Sequence, residues 1–162
     1  MNLRHATEAD VPVITEIYND VIATSNAIYR LDTVDVAERM AWYQARIADG
    51  YPVIVAEMDG EVVGYAVYGS FRFGEGYKKS VEHSIHIKST HRRKGLGKVL
   101  LQAIIEFAKA DGRHVMIGGI DSGNVGSIKL HESFGFVETA RMPEVAFKAG
   151  EALTLVLMQK IL

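Results

Sequence analysis

The stretch Val81-Glu82-His83-Ser84-Ile85-His86-Ile87-Lys88, followed by His91-Arg92-Arg93-Lys94-Gly95-Leu96-Gly97, decides the fold. Its first eight residues alternate, with Val81, His83, Ile85 and Ile87 on one face and Glu82, Ser84, His86 and Lys88 on the other, which is the period of a β-strand. Beyond the basic turn, Leu96, Val99, Leu100, Ala103, Ile104 and Phe107 recur at helical spacing and stop near Asp111-Gly112. A strand that enters a helix this way presents unpaired N–H groups and a partial positive charge, a ready receptor for a phosphate. Gly95 and Gly97 let the backbone approach an anion without a Cβ in the way, and Arg92, Arg93 and Lys94 add charge.

Two familiar phosphate loops fail against these residues. A P-loop needs glycine five residues before Gly97 and Ser or Thr after Lys98, and Arg92 and Val99 stand there. A dinucleotide fingerprint needs a third glycine where Leu100 stands, and it opens a βαβ unit instead of following four strands.

Outward from this centre, Leu3 to Ala6 reads as a first strand, and Thr7 or Asp10 caps a helix with the stripe Val13, Ile14, Ile17, Val21. Pro12 fixes that helix start near Asp10. A second helix is expected from about Val34 to Asp49, with Ala37, Met40, Ala41 and Ile47 as its apolar face, and Glu38 and Arg39 on a solvated one. Pro52 to Met58 and Glu61 to Tyr68 flank Asp59-Gly60, a strong hairpin signal. Ser70 to Ser80 is a glycine-rich loop carrying Phe71, Phe73 and Tyr77. His114 to Ile120 reads as a buried strand, Asn124 to Phe134 as a fourth helix, and Phe136 to Ala140 with Ala152 to Met158 as closing strands. Met40, Trp42 and Met116 are assigned to the core. The order implies an α/β (α+β) fold in one domain over residues 1–162.

Composition narrows the chemistry. With 162 residues and 48% apolar content the chain can bury one continuous core. The absence of cysteine removes disulfides, thiolate metal sites and cysteine nucleophiles. A net charge of −2 lacks the basic footprint of nucleic-acid binding, no apolar run is long enough for a membrane span, and the N-terminus has no signal-like apolar region, so a cytoplasmic location is expected. His83 and His86 fall on opposite strand faces and cannot chelate one ion, so no metal is expected, and Gly69-Ser70 and Gly126-Ser127 lack a nucleophile elbow.

The pattern Arg-x-x-Gly-x-Gly between strand and helix, together with Asn124-x-x-Ser127-Ile128-x-Leu130-His131-Glu132-x-Phe134-Gly135-Phe136, resembles the GNAT superfamily of N-acetyltransferases over essentially the full length. Ile17-Tyr18-Asn19, Trp42, Gly50-Tyr51-Pro52, Gly64-Tyr65-Ala66, Val81-Glu82-His83-Ser84, Gly95-Leu96-Gly97, His114-Val115-Met116 and Leu130-His131-Glu132 resemble its phosphinothricin and methionine sulfone or sulfoximine acetyltransferases. The resemblance implies a mixed, mostly antiparallel sheet of about seven strands flanked by about four helices, acetyl-CoA as co-substrate, a small amine substrate and a homodimer. Coenzyme contacts are implied at Ile85, His86 and Ile87, at Arg92, Arg93, Lys94, Gly95, Leu96, Gly97 and Lys98, and at Asn124 and Ser133. The substrate pocket is implied at Arg72, Phe73 and Gly74 and at Glu82, His83 and Ser84.

An amine attacks a thioester only as the free base, so a proton acceptor is required. Glu82 is expected to take that proton directly or through water, and His131 to act as acid or second base. Arg72 is expected to hold a substrate carboxylate by a bidentate contact. Each has a plainer alternative: Glu82 paired with an arginine on the sheet, His131 hydrogen-bonded within its helix, Arg72 a solvated loop residue. Tyr29, Ser70, Phe71, Ala152 and Thr154 depart from the subfamily's Trp, Asp, Trp, Trp and Asp, which reshapes the pocket and leaves the acceptor open. Acceptors on a protein N-terminus or lysine, and a silent acyl-CoA binding module, are the competing readings.

Overall fold

The structure, a computed structural model, describes residues 1–162. In chain order the elements are β1 (Asn2–His5), α1 (Val11–Thr24), α2 (Val36–Ala48), β2 (Val53–Met58), β3 (Glu61–Ser70), β4 (Ser80–Ile87), α3 (Leu96–Ala110), β5 (Val115–Asp121), α4 (Val125–Ser133), β6 (Val137–Lys148) and β7 (Glu151–Ile161). The seven strands form one sheet in the order β1-β2-β3-β4-β5-β7-β6. Every pairing is antiparallel except β4 with β5. The expected architecture, a mostly antiparallel seven-stranded sheet with four α-helices, is borne out.

Local chemistry sets the element ends. The Thr7 N–H donates to Asp10 Oδ2 at 2.7 Å, and Asp10 also receives the Arg4 guanidinium at 2.7 and 2.8 Å. That guanidinium, ahead of the helix-start bonds, holds the Asp10 carboxyl down at about 2. The Glu38 N–H donates to Asp35 Oδ1 at 2.7 Å and starts α2. Asp59 and Gly60 take φ of 53° and 83°, the backbone of a two-residue hairpin turn that joins β2 to β3.

The sheet buries both faces. Leu96, Leu100, Leu101, Ile104, Ile105 and Ala108 of α3 pack on one side with Val81, Met116, Phe136, Val156 and Met158. Val11, Ile14 and Ile17 of α1 and Tyr43 of α2 pack on the other with Val53, Val55, Tyr65 and Val67.

The reading of α2 needs correction. Its inward residues are Arg39 and Tyr43, while Ala37, Ala41 and Ile47 face solvent. Arg39 is 6% exposed, not part of a solvated face. Its guanidinium carbon lies 3.8 Å from the Tyr18 ring centroid and 4.6 Å from that of Trp42, so aromatic faces cover the charge. Trp42 and Met40 border this core only in part, and Met116 is fully buried. The closing strands are longer than expected. Pro143 lies inside β6, but β6 is an edge strand and its register shifts between Met142 and Ala146, with Glu144 at φ 54°, so the proline breaks no ladder.

Candidate active site

The cleft arises where two parallel strands part. β4 pairs β3 from Val81 to Ile87, but it pairs β5 only over Ser80 to His83, against Val115 to Gly118. Past His83 the β5-facing edge of β4 is open, and β5 runs on beside β7. A cavity of about 710 Å³ fills the gap, lined by Ile85, His86 and Ile87 at one wall and by Asp121, Gly123, Asn124 and Ser127 at the other. A side chamber of about 90 Å³ reaches inward to His83, Ser84, Gly118 and His131.

Arg93, Gly95, Gly97 and Lys98 close one end of the cavity. The backbone N–H groups of Arg93, Lys94, Gly95, Leu96 and Gly97 have no acceptor in the protein. The two glycines serve different ends. Gly95 has φ 83° with open space around its Cα, so it supplies a left-handed turn, whereas a Cβ on Gly97 would sit 3.3 Å from Leu130 Cδ2. Arg93 itself holds φ 60°. Successive free amides at a helix start form the anion receptor expected from the sequence.

Several expected contacts are placed otherwise. Arg92 lines the cavity, yet its guanidinium donates to Ile87 O at 3.3 Å and Thr24 Oγ1 at 2.8 Å, tying α1 to β4. The Leu96 side chain is in the core, Lys94 points to solvent, and Ser133 Oγ donates to Leu130 O at 2.6 Å. None of these three side chains reaches the cavity. Asn124 borders it while its Oδ1 accepts from the Ser127 N–H at 3.1 Å as the cap of α4.

Strand alternation separates the two expected catalytic side chains. His83 points to the α3 and α4 face and meets His131, with Nε2 to Nε2 at 3.1 Å and the rings stacked 5.1 Å apart. His131 Nδ1 lies 2.7 Å from the Ser127 carbonyl, so Nδ1 carries the proton, and the shared bond then takes its hydrogen from His83. Burial, and the neighbouring ring, push His83 down to about 3, and burial also lowers His131, so both rings are neutral at physiological pH. His83 Nδ1 remains a buried acceptor without a partner.

Glu82 occupies the other face, where its Oε1 would stand 3.2 Å from a Cβ on Gly119. On Gly118 a Cβ would come within 2.9 Å of His83 Nε2. The adjacent glycines of β5 therefore make room for the two groups separately, one on each face. Crowding by protein raises the Glu82 pKa above the usual carboxylate value, and the nearby positive charge of Arg46 opposes the rise. His86 shares this face, edge-on to Tyr65 at 5.2 Å and Tyr18 at 5.8 Å, and burial lowers it to about 4.

The loop of Arg72, Phe73 and Gly74 does not join the cleft. Phe73 is fully exposed at 100%, and Arg72 stacks loosely on Phe71 at 5.4 Å. Residues outside the expected set also border the cavity or shape its rim. Tyr29 donates to Asp121 Oδ1 at 2.8 Å, burial and the Asp121 carboxylate raising its pKa. Lys148 donates to the carbonyls of Ile22, Ser25 and Ile28 at 2.7, 2.7 and 3.0 Å, fixing the turn whose Ser25, Asn26 and Ala27 face the cavity.

A splayed parallel pair with an anion receptor at one end of the gap has recognised counterparts. Residues 14–136 match the profile of the Acetyltransferase (GNAT) family. The chain belongs to that family. An L-methionine sulfoximine/L-methionine sulfone acetyltransferase of Salmonella typhimurium is 47% identical over 159 residues, covering 98% of this chain and 93% of that one. Among solved structures, the ribosomal-protein-alanine N-acetyltransferase from Brucella melitensis superposes with a TM-score of 0.98 at 46% identity, covering 100% of both chains. The putative acetyltransferase yncA from Salmonella typhimurium, solved with acetyl-CoA, gives 0.95 at 46% identity, over 99% of this chain and 92% of that one. As a GNAT enzyme the protein is an N-acetyltransferase, which bears out the reaction class read from the sequence.

Proposed function

We propose that the enzyme transfers the acetyl group of acetyl-CoA to the free amine of a small amino acid of the methionine sulfoximine, methionine sulfone or phosphinothricin type. It does so as one catalytic domain over residues 1–162, in a cytoplasmic homodimer. The observation that carries this reading is the parted β4–β5 slot, closed at one end by the free amides of Arg93 to Gly97 and flanked by Glu82 further back along β4. The residues present fit the coenzyme: amides and Lys98 for the pyrophosphate, and the open backbone edge of Ser84 to Ile87 for the amide-bearing arm.

In the reaction the free amine nitrogen bonds to the thioester carbonyl carbon, the C–S bond breaks with its electron pair leaving on the coenzyme A sulfur, and one amine proton passes through a base to that thiolate. Glu82 is the favoured acceptor, because its raised pKa brings a carboxylate closer to working pH and because both ring nitrogens of His131 already have partners. His131 then orders the wall behind the thioester, alongside His83.

A second reading, acetylation of a protein N-terminus, draws on the name of the Brucella relative. A thiol-release assay with acetyl-CoA separates the two. The amines to compare are methionine sulfoximine, methionine sulfone, phosphinothricin and a peptide that begins with alanine. Turnover of the amino acids well above the peptide is expected; the reverse order would favour the second reading, and silence with every amine the non-catalytic module. Glu82→Gln is expected to lower kcat by about a hundredfold or more while coenzyme affinity holds.

A further inference from the structure

The segment that leads into the anion receptor is fastened from α1. Lys88 ends β4 with its N–H on Val63 O at 2.9 Å, and Leu96 is seated in the core. Between them the main-chain bonds are local, such as His91 N–H to Lys88 O at 2.8 Å and Arg92 N–H to Ser89 O at 3.4 Å. Apart from Arg92 on Ile87 O, the bonds that tie this segment to another element go to the last turns of α1. Asp20 Oδ2 accepts the Ser89 N–H at 2.6 Å, and Asp20 Oδ1 accepts the Ser89 hydroxyl at 2.9 Å. Four residues on, and so on the same helix face, Thr24 donates its hydroxyl proton to Asp20 O at 2.7 Å. That leaves Thr24 Oγ1 as the acceptor for the Arg92 guanidinium at 2.8 Å. The two contacts bracket the tight turn Ser89–His91 and stop one residue before Arg93, where φ turns to 60°.

We infer that Asp20, acting through Ser89, and Thr24, acting through Arg92, are positioning residues that preform the coenzyme receptor. The inference rests on the acetyl-CoA reading and deepens it, by naming what sets the affinity for the diphosphate from outside the cavity. Neither Asp20 nor Thr24 lines that cavity. A run of free amides with left-handed backbone at Arg93 and Gly95 has no bonds of its own to hold its shape, so the shape is imposed by neighbours. The sign of the Asp20 charge separates this role from a purely electrostatic one. Asp20 forms no ion pair, and its negative charge by itself disfavours a diphosphate on the adjoining amides. Its contribution to coenzyme binding therefore comes from the geometry that it gives Ser89, against the direction of its charge.

The test titrates coenzyme A into the full-length protein by calorimetry, and compares turnover of acetyl-CoA with that of S-acetylpantetheine, a donor without the diphosphate. Asp20→Ala is expected to raise the Kd for coenzyme A by about tenfold, the range of lost charge-assisted bonds. The same loss should appear in KM for acetyl-CoA and leave kcat in place, so that the kcat/KM ratio of acetyl-CoA over S-acetylpantetheine falls by about the same factor. Thr24→Val keeps the side-chain shape and the charge and removes the Arg92 acceptor, so it should raise the Kd in the same direction by about threefold or more. Asp20→Asn retains an oxygen for the Ser89 N–H and removes the repulsive charge, and its Kd should fall between wild type and Asp20→Ala. A Kd that stays level or tightens in both Asp20→Ala and Thr24→Val would overturn the inference, leaving only the charge effect. Equal losses on the two donors would also overturn it, because a general loosening of the fold does not distinguish them. Wild-type protein that binds no coenzyme A would instead remove the acetyl-CoA reading beneath it, a distinct outcome.

Discussion

His131 Nε2 and His83 Nε2 share one hydrogen at 3.1 Å, and the Ser127 carbonyl fixes which ring supplies it. The pair exists because β5 has no side chain at Gly118, where a Cβ would come 2.9 Å from one ring and 3.4 Å from the other. Gly118→Ala therefore forces both rings from their stack. The expected cost is about 1–3 kcal/mol, as for other overpacked cores, and a fall in Tm of several degrees. Thermal unfolding checks it; a Tm equal to wild type contradicts the claim.

Acid sensitivity follows from the same burial. His83 at about 3 and His86 at about 4 lie below the 6.5 of an exposed histidine, so the unfolded chain binds protons that the folded one refuses. Their contribution is complete above the unfolded value and is lost as pH drops below it toward the folded values. Each histidine gives a slope of about 1.4 kcal/mol per pH unit in that window. Denaturant midpoints should hold near pH 7 and decline by pH 5; a flat profile across that span sinks the idea.

Gly95 and Gly97 are expected to fail differently. Gly95→Ala meets no atom but strains a backbone at φ 83°, for about 1 kcal/mol of stability. Gly97→Asp places a carboxylate among the free amides and crowds Leu130, so the KM for acetyl-CoA should rise about tenfold or more. Steady-state kinetics and melting of both variants make the comparison, and an unmoved KM in Gly97→Asp removes the anion receptor.

Lys148→Met leaves the carbonyls of Ile22, Ser25 and Ile28 without their shared donor. Loss of stability of about 2–4 kcal/mol is expected, together with a higher KM for the coenzyme as the turn at Ser25 to Ala27 loosens. Hydrogen exchange at that turn reads the loosening directly. Protection equal to wild type would show that the lysine does not hold it.

The sequence carried the strand, basic turn and α3 clearly, because alternation, helical spacing and glycine placement all agree there. The hairpin at Asp59-Gly60 was equally plain, since its turn demands those residues. The inward face of α2 was hidden because a cation, Arg39, fills it, and only the packing of Tyr18 and Trp42 reveals that aromatic faces replace an acidic partner. Gly118-Gly119 was visible as an oddity in a strand, but which neighbours needed the space depends on contacts far away in the chain. Lys148 gave no local signal, because it is defined by carbonyls more than a hundred residues earlier in the chain. Arg72 looked suited to its role by residue type alone, and its loop turns outward.

The separation of β4 from β5 after His83 and Gly118 divides the labour of recognition. The anion receptor is built of peptide groups, which every residue possesses, while the sheet face beside the cleft carries side chains such as Glu82 of β4. Substitutions at the second set can redirect the enzyme to new amines without disturbing the donor. A scaffold so arranged can diversify its acceptors while its source of acetyl groups stays fixed.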